Sequence, residues 1–508
     1  MKEKDTIFEV GTLRINQLFH NTNIDLSIPE YQRPYVWSES QINEMLLDWE
    51  DHFFKNGVLQ SDAVEYYLGA IMIYENNGKY EIIDGQQRLT TLLIMDYVWR
   101  KNNSILNEGK LNFDYKSKIS FNKIKENQSF LEGKKSSLAA KNFNQIISKL
   151  VVSVIITNSE DRAFVLFDSQ NNRGIPLDEV DFFKSYHLRE LTEYENHLKY
   201  FAKKFDSINA LNQSKNQNNK NLKTLNELFV KQIWVIRFWS KNQLYFPSRK
   251  LLLETFQNKT VSFGKVDEIK LFPSTNNALG TSLVYDAQMR PELKSTIKLF
   301  SSDSIDIPFT INQPIQKGIG FFLYTEKYTS IFNYIFRDEK IEALTPITNL
   351  VYMVFNNYFI NLYQAVIVQY FDKFNTERLE EFAKRLEHYL GAYRMNRSSI
   401  VAQSPIVLLR DFGNIMMDIQ QAYLAIDVID SLIKYTPEYF YNGYKYRIGV
   451  KDQLSSITIQ YNNDRDQDLT AARQNYYRFV KAFYEKEIGF DNYQIKEKHN
   501  WINGSITK

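Results

Sequence analysis

The chain has 508 residues, longer than the roughly 250–300 at which one hydrophobic core stops growing, so two or more packed units are expected. Apolar residues make up 44% and aromatics 15%, which excludes a disordered chain, and the absence of cysteine excludes disulfides, thiolate metal sites and thiol nucleophiles. A net charge of +2 gives no global attraction to nucleic acid, so any DNA contact must come from local patches, and a metal would have to use oxygen or imidazole ligands, which suits Mg²⁺ best.

No secretory pattern opens the sequence, since Met1-Lys2-Glu3-Lys4-Asp5 leads into mixed residues, and the expected location is cytoplasmic. Ile28-Pro29-Glu30-Tyr31-Gln32-Arg33-Pro34-Tyr35-Val36-Trp37 carries two prolines and must be extended or looped. Ser38-Glu39-Ser40-Gln41 then reads as a capping box, and Ile42, Leu46, Trp49 and Phe53 fall on one face of the helix it starts. Tyr67 to Tyr74 and Lys79 to Ile83 are strand-like runs joined by Glu75-Asn76-Asn77-Gly78, a hairpin signal. The second strand runs into Asp84-Gly85-Gln86-Gln87-Arg88, and Leu89 to Trp99, apolar almost all round, predicts a buried helix.

Between Lys101 and Lys149 ten lysines face four acidic residues, a pattern that suits either a DNA-facing patch or a solvated helical surface. Leu150 to Thr157 predicts a strand, Gln170 to Leu177 a glycine- and proline-bearing loop, and Asp178 to Leu188 a helix. Beyond Leu191 the pattern is mainly helical, with an exposed polar loop at Asn212 to Asn221. Ala343 to Phe371 carries no charge, but its Asn and Gln residues favour a central helix of a soluble bundle over a membrane span. Thr345-Pro346 reads as a helix start, and the stripe Leu379, Phe382, Ala383, Leu386, Leu390 as a helix ended by Gly391.

Two loops carry the chemistry. A strand-to-helix turn at Asp84 to Arg88 aims backbone N–H groups and a helix dipole at its ligand, a setting for phosphate. There Gly85 permits close approach, Arg88 offers paired bonds to phosphate oxygens, and Asp84 suits Mg²⁺ or a water; the alternative is a surface turn with an Arg–Asp pair. Asn171-Asn172-Arg173-Gly174 repeats the combination, with Asn171 as a second Mg²⁺ ligand and Arg173 as a charge stabiliser, or else forms a glycine-assisted turn.

Taken together, Ile28-Pro29-x-Tyr31-Gln32-Arg33-x-Tyr35-x-Trp37, Leu68-Gly69 with the Asp84 to Arg88 loop, and Phe167 through Asn171-x-Arg173-Gly174-x-x-Leu177-x-x-x-Asp181-x-x-Lys184 resemble the N-terminal module of GmrS, with related modules in SspE and BrxU. The resemblance implies an α+β, ParB/sulfiredoxin-like domain over 1–190, followed by a mostly α-helical region over 191–508. It further implies a nucleoside triphosphate with Mg²⁺, held by Gly85, Gln86, Asn171, Arg173 and Gly174. Asp84, Gln87 and Arg88 would act in hydrolysis, Asp84 and Asn171 at the metal, and Tyr31, Gln32, Arg33, Tyr35 and Trp37 on DNA or ligand. The Tyr31 to Trp37 run reads equally as a base-stacking surface or as a strand packing a buried Trp.

Single-chain relatives end in an HNH-type nuclease with a histidine-proline signature, which this chain lacks; His388 and His499 read as surface residues. The expectation is an NTP-binding and NTP-hydrolysing sensor or regulatory component of anti-phage restriction, with modified phage DNA, a partner nuclease subunit and a second copy of itself as its partners. A self-sufficient NTP-dependent nuclease and a non-catalytic nucleotide-binding adaptor are the alternatives.

Overall fold

A computed structural model describes residues 9–20, 26–29, 32, 34–76, 78–100, 106, 113, 115, 118–158, 178–213, 224–265, 267–272, 281–285, 287–295, 304–397, 399–435, 444–448, 457–461, 465–468, 470–488, 498 and 502. The chain divides into two units, Met1–Leu211 and Asn212–Lys508, the first a mixed α/β unit and the second largely helical.

In the first unit, Gln41 Oε1 accepts from the Ser38 N–H at 2.9 Å and from its hydroxyl, and α2 (Glu39–Phe53) follows. Its Ile42, Leu46, Trp49 and Phe53 are buried on one face, as the capping box and spacing require. The hairpin forms from β5 (Tyr66–Asn76) and β6 (Lys79–Asp84), antiparallel with Asn76 opposite Lys79. Strand β7 (Leu150–Thr157) spans the predicted run and pairs parallel to β5 and antiparallel to β1 (Glu9–Arg14). With the short β2 (Leu26–Ser27), parallel to β6, the sheet order is β1-β7-β5-β6-β2; β3 (Phe54–Lys55) and β4 (Val58–Leu59) pair separately. Helix α3 (Gln86–Arg100) packs in the core through Leu89, Leu92, Met95 and Val98.

Two bulges interrupt the central ladder. Leu68 is an extra residue between Tyr67, opposite Val151, and Gly69, opposite Val152. Ile83 is a second, because Met72 lies opposite Asp84 whereas Ile73 lies opposite Ile82. The bulges re-aim carbonyls out of the ladder, the Leu68 carbonyl toward Arg88 of α3 and the Ile83 carbonyl toward Gln32.

The lysine-rich stretch builds α4 (Lys118–Gly133), α5 (Leu138–Lys141) and α6 (Phe143–Ile147). Among its described lysines, Lys123 pairs with Glu126, Lys134 reaches Asn43 Oδ1 at 3.3 Å, and Lys149 bonds the carbonyls of Ser61 and Ala63 at 2.9 and 2.8 Å. Lys149 thus ties β7 to the loop before β5. Helices α7 (Glu179–Arg189) and α8 (Glu195–Gln213) complete the unit, joined by the buried Lys184 ammonium on Asp206 at 2.8 Å.

The uncharged stretch of the second unit is two helices. A short 3-10 turn (Glu342–Leu344) leads into α9 (Thr345–Val354), with Leu344 at the N-cap in place of the expected Thr345. The chain breaks at Phe355, and Asn356 accepts from the Phe359 N–H at 3.4 Å to start α10 (Asn357–Phe374). A polar side chain that caps the second helix is the reason one continuous helix does not form. Helix α10 packs against the π turn Phe229–Ile233 and helices Trp234–Trp239, Ile319–Phe336, Leu379–Asn396, Ser404–Phe412 and Ile415–Gln421. Its amides find partners: Gln364 donates to Tyr352 Oη at 2.9 Å and Gln369 to the Met416 carbonyl at 2.8 Å. Among the described residues no helix is long and apolar enough to cross a membrane.

Gly391 does not end its helix. Helix α11 (Leu379–Asn396) runs through it, and the missing Cβ makes room for the Tyr476 hydroxyl. The glycine answers a packing demand from a residue far away in sequence, which a local stop signal imitates. His388 is likewise buried within α11, not at the surface; His499 lies outside the described residues. Gly391→Ala is expected to destabilise the helical unit by roughly 1–3 kcal/mol, the cost of overpacking, with a lower midpoint of chemical denaturation as the measurement.

Candidate functional site

The turn from β6 through Gly85 into α3 is set by local geometry. Gly85 has φ +97°, a left-handed conformation, and a side chain there would run into Ile71. The first helical bond is Leu89 N–H to the Gly85 carbonyl at 3.0 Å, so the amides of Gln86, Gln87 and Arg88 have no acceptor within the helix. These are the donors, with the positive end of a 15-residue helix, that the sequence reading assigns to phosphate.

The side chains of this loop do other things than the motif suggests. Arg88 reaches across to the sheet, where Nη1 donates to the Leu68 carbonyl at 3.0 Å and Nη2 to the Ala70 carbonyl at 2.7 Å. Nη2 also meets Asp84 Oδ2 at 3.3 Å, so the Arg–Asp pair of the alternative reading is present, and both groups are about one-quarter exposed, 21% and 25%. The guanidinium lies where a Cβ on Gly69 would be, and Gly69 has φ +115°. Leu68-Gly69 and Arg88 are therefore one device: the bulge turns two carbonyls toward the fork, and the glycine leaves space for it.

Gln87 is buried, and its amide is spent on backbone. Oε1 accepts from the N–H groups of Val36 and Trp37 at 2.9 and 3.3 Å, and Nε2 donates to the Pro34 carbonyl at 3.1 Å. Gln32 reinforces the clamp from the other side, donating to the bulged Ile83 carbonyl at 2.6 Å. Expected to act in hydrolysis, Gln87 instead fixes the extended run that precedes α2.

Tyr35, expected on DNA or ligand, is fully buried. Its hydroxyl meets Thr91 Oγ1 at 2.8 Å and accepts from Asn127 Nδ2 at 2.9 Å, and its N–H donates to Ser120 Oγ at 2.8 Å. The residue packs the core, because a phenol with this many internal partners gains nothing by leaving them. Burial pushes the Tyr35 hydroxyl above its ordinary range, with the Thr91 and Asn127 bonds opposing, so it stays protonated. Trp37 is half-buried against the same core, and its carbonyl accepts from Asn127 at 2.8 Å. Tyr31, Arg33, Asn171, Arg173 and Gly174 lie outside the described residues.

Gln86 behaves differently from its neighbour. It is buried at the first position of α3, and its Oε1 has no hydrogen-bond partner. Beside it Tyr115 hydrogen-bonds Thr90 and Gln86, and burial keeps that phenol protonated. The pair of threonines that follow, Thr90 and Thr91, back-bond the Gln86 and Gln87 carbonyls at 2.7 and 2.9 Å.

Fit to a divalent metal is limited to one carboxylate. Asp84 is the acidic side chain at the turn, and among the described residues no cluster of three or more His, Asp or Glu side chains suits a metal. That number fits Mg²⁺ carried on a nucleotide, which takes one or two protein carboxylates and substrate phosphates, but not an all-protein cage.

A mixed α/β unit with a glycine turn feeding a buried helix, clamped to an aromatic, proline-bearing run, defines the class of domain. Residues 15–188 match the family described as GmrSD restriction endonuclease, N-terminal domain, and the chain carries a GmrSD-type N-terminal module. Residues 197–448 match a family described as being of unknown function. No curated protein matches the chain.

Gln87→Ala would leave the half-buried N–H groups of Val36 and Trp37 and the Pro34 carbonyl without this partner, at up to about 1–3 kcal/mol for each group left unsatisfied. Expected is a fall in stability of the first unit of at least about 2 kcal/mol, read from urea denaturation. Gly69→Ala should be similarly damaging through its positive φ and the displaced Arg88, whereas Gly11→Ala, with open space around it, should be near neutral.

Proposed function

We propose that the first unit binds a nucleoside triphosphate at the N-terminus of α3 and that its hydrolysis gates an action on DNA in a restriction system. The carrying observation is the turn itself: the first three N–H groups of a long helix, at Gln86, Gln87 and Arg88, have no acceptor within the helix and lie next in sequence to Asp84, on a backbone that the Arg88 and Gln87 side chains tie down. Preorganised donors of this kind bind phosphate without reorganisation. The matched family's description, a restriction endonuclease domain, supplies the DNA context.

In this reading Asp84 would hold nucleotide-borne Mg²⁺ or orient the attacking water, since it is the carboxylate at the donor cluster. Mg²⁺, when bound, would neutralise phosphate charge. Arg88 contributes in two ways, by fixing the turn and by adding positive charge near it. Asn171, Arg173 and Gly174 would complete the pocket from the second polar loop, and Tyr31 and Arg33 would lie along the ligand or DNA path. The nuclease step belongs to a partner subunit in this proposal, because the sequence lacks the histidine-proline signature.

Asp84→Asn keeps the side-chain shape and removes the charge, so hydrolysis should fall by about tenfold or more while nucleotide affinity, carried by backbone donors, changes little. Calorimetry for binding and phosphate release for turnover give the two numbers. A variant with undiminished turnover would leave Asp84 only its pairing with Arg88. Plasmid cleavage by the purified chain alone, with NTP and Mg²⁺, would move the nuclease into this chain.

A further inference from the structure

A fully buried ion pair with two tyrosine hydroxyls on it lies in the helical unit, around Glu387. Glu387 sits on α11, and Tyr476 and Tyr484 sit on α12 (Ala471–Ile488), which packs against α11. Tyr476 donates its hydroxyl to Glu387 Oε1 at 2.8 Å, and Tyr484 donates to Oε2 at 3.4 Å. Both carboxylate oxygens are thus engaged. The fourth member is Lys498, 111 positions from Glu387, whose ammonium bonds Glu387 Oε2 and reaches Tyr476 Oη at 3.0 Å. Its Nζ also lies 5.5 and 5.3 Å from the centroids of the Tyr476 and Tyr484 rings. Glu387 and Lys498 are fully buried, and Ile502, four residues on, is buried too.

Burial alone does not explain this choice of residues. A buried ion pair is often no more stable than apolar side chains of the same volume, so it is a poor device for stability by itself. What this one provides is selectivity. A carboxylate, the Tyr476 hydroxyl oxygen and the ring of Tyr484 converge on one point, and that combination favours a compact cation with several N–H donors over any neutral group. Gly391 belongs to the same construction, since its missing Cβ lets Tyr476 reach Glu387.

We propose that Glu387, Tyr476 and Tyr484 form a recognition socket for a primary ammonium, and that Lys498 is its ligand in cis, fastened to α11 and α12 through its own side chain. The socket recognises charge and N–H donors as well as volume, and this separates it from ordinary core packing.

The test uses the full chain with Lys498→Ala, which vacates the socket. n-Butylammonium, the side chain of lysine without its backbone, should raise the melting temperature of this variant in a saturable way, and 1-butanol at equal concentration should not. The rescue should vanish in Lys498→Ala combined with Glu387→Gln. Equal response to the amine and the alcohol, or none to either in a folded variant, overturns the proposal. Should Lys498→Ala fail to fold, Lys498→Met, which keeps most of the volume, carries the test by hydrogen exchange. Faster exchange at positions 498 and 502 by about tenfold, with α10 unchanged, supports the socket, and wild-type protection at both overturns it.

Discussion

The first unit depends on one side-chain amide. The run through Pro34, Tyr35, Val36 and Trp37 joins no sheet, and Pro34 has no N–H and a fixed φ, yet Tyr35 is fully buried and its neighbours are half-buried, where unpaired backbone groups are costly. Gln87 resolves this by accepting from two of these N–H groups and donating to one carbonyl. Asn127 donates to the Trp37 carbonyl, Ser120 accepts from the Tyr35 N–H, and Thr91 meets the Tyr35 hydroxyl. Helix α3, the loop before it and the start of α2 are therefore positioned by the same few bonds. A shift of the helix N-terminus would break several together, and this is how the turn acquires the rigidity a binding site needs.

What was readable in the sequence is what short-range chemistry controls. The capping box at Ser38, the Asn-Gly hairpin, strand β7 and the turn at Gly85 each follow from residues within a few positions of one another. The motif order also identified the domain. Where partners are remote, residue type alone misled. Gln87 and Tyr35 read as ligand-facing polar and aromatic groups, but their partners come from 50 to 92 positions away and draw them inward. Gly391 looked like a stop because the residue that needs its space, Tyr476, is 85 positions on. His388 reads as a surface residue because the sequence around it lacks the proline and the clustered partners of a ligand, but α11 buries it beside Glu387, which Lys498 neutralises. The break at Phe355 was concealed by an apolar run long enough for one helix.

The helical unit uses buried polar groups as fasteners throughout. Asp372, near the end of α10, receives the Lys327 ammonium at 2.8 Å, the Ile311 N–H at 3.0 Å and the Tyr328 hydroxyl at 3.1 Å. Arg237 and Tyr324 converge on the Ile311 carbonyl next to it, at 2.5 and 2.7 Å. Such groups contribute less to net stability than to uniqueness, since an alternative packing would strand a charge in the interior. A unit built from many similar aromatic and aliphatic helices has a particular need of that discrimination, and Asp372 and Glu387 supply it at two separate places.

The bulge at Leu68 has an evolutionary consequence. Gly69 leaves the volume that the Arg88 guanidinium fills, and the guanidinium bonds the carbonyls on either side of that glycine. Neither position is free to drift alone: a side chain at 69 evicts the arginine, and a shorter residue at 88 abandons two carbonyls in a distorted strand. Across descendants of this domain the two sites should covary as an inherited pair, lost together if lost at all, although 19 positions separate them in the chain.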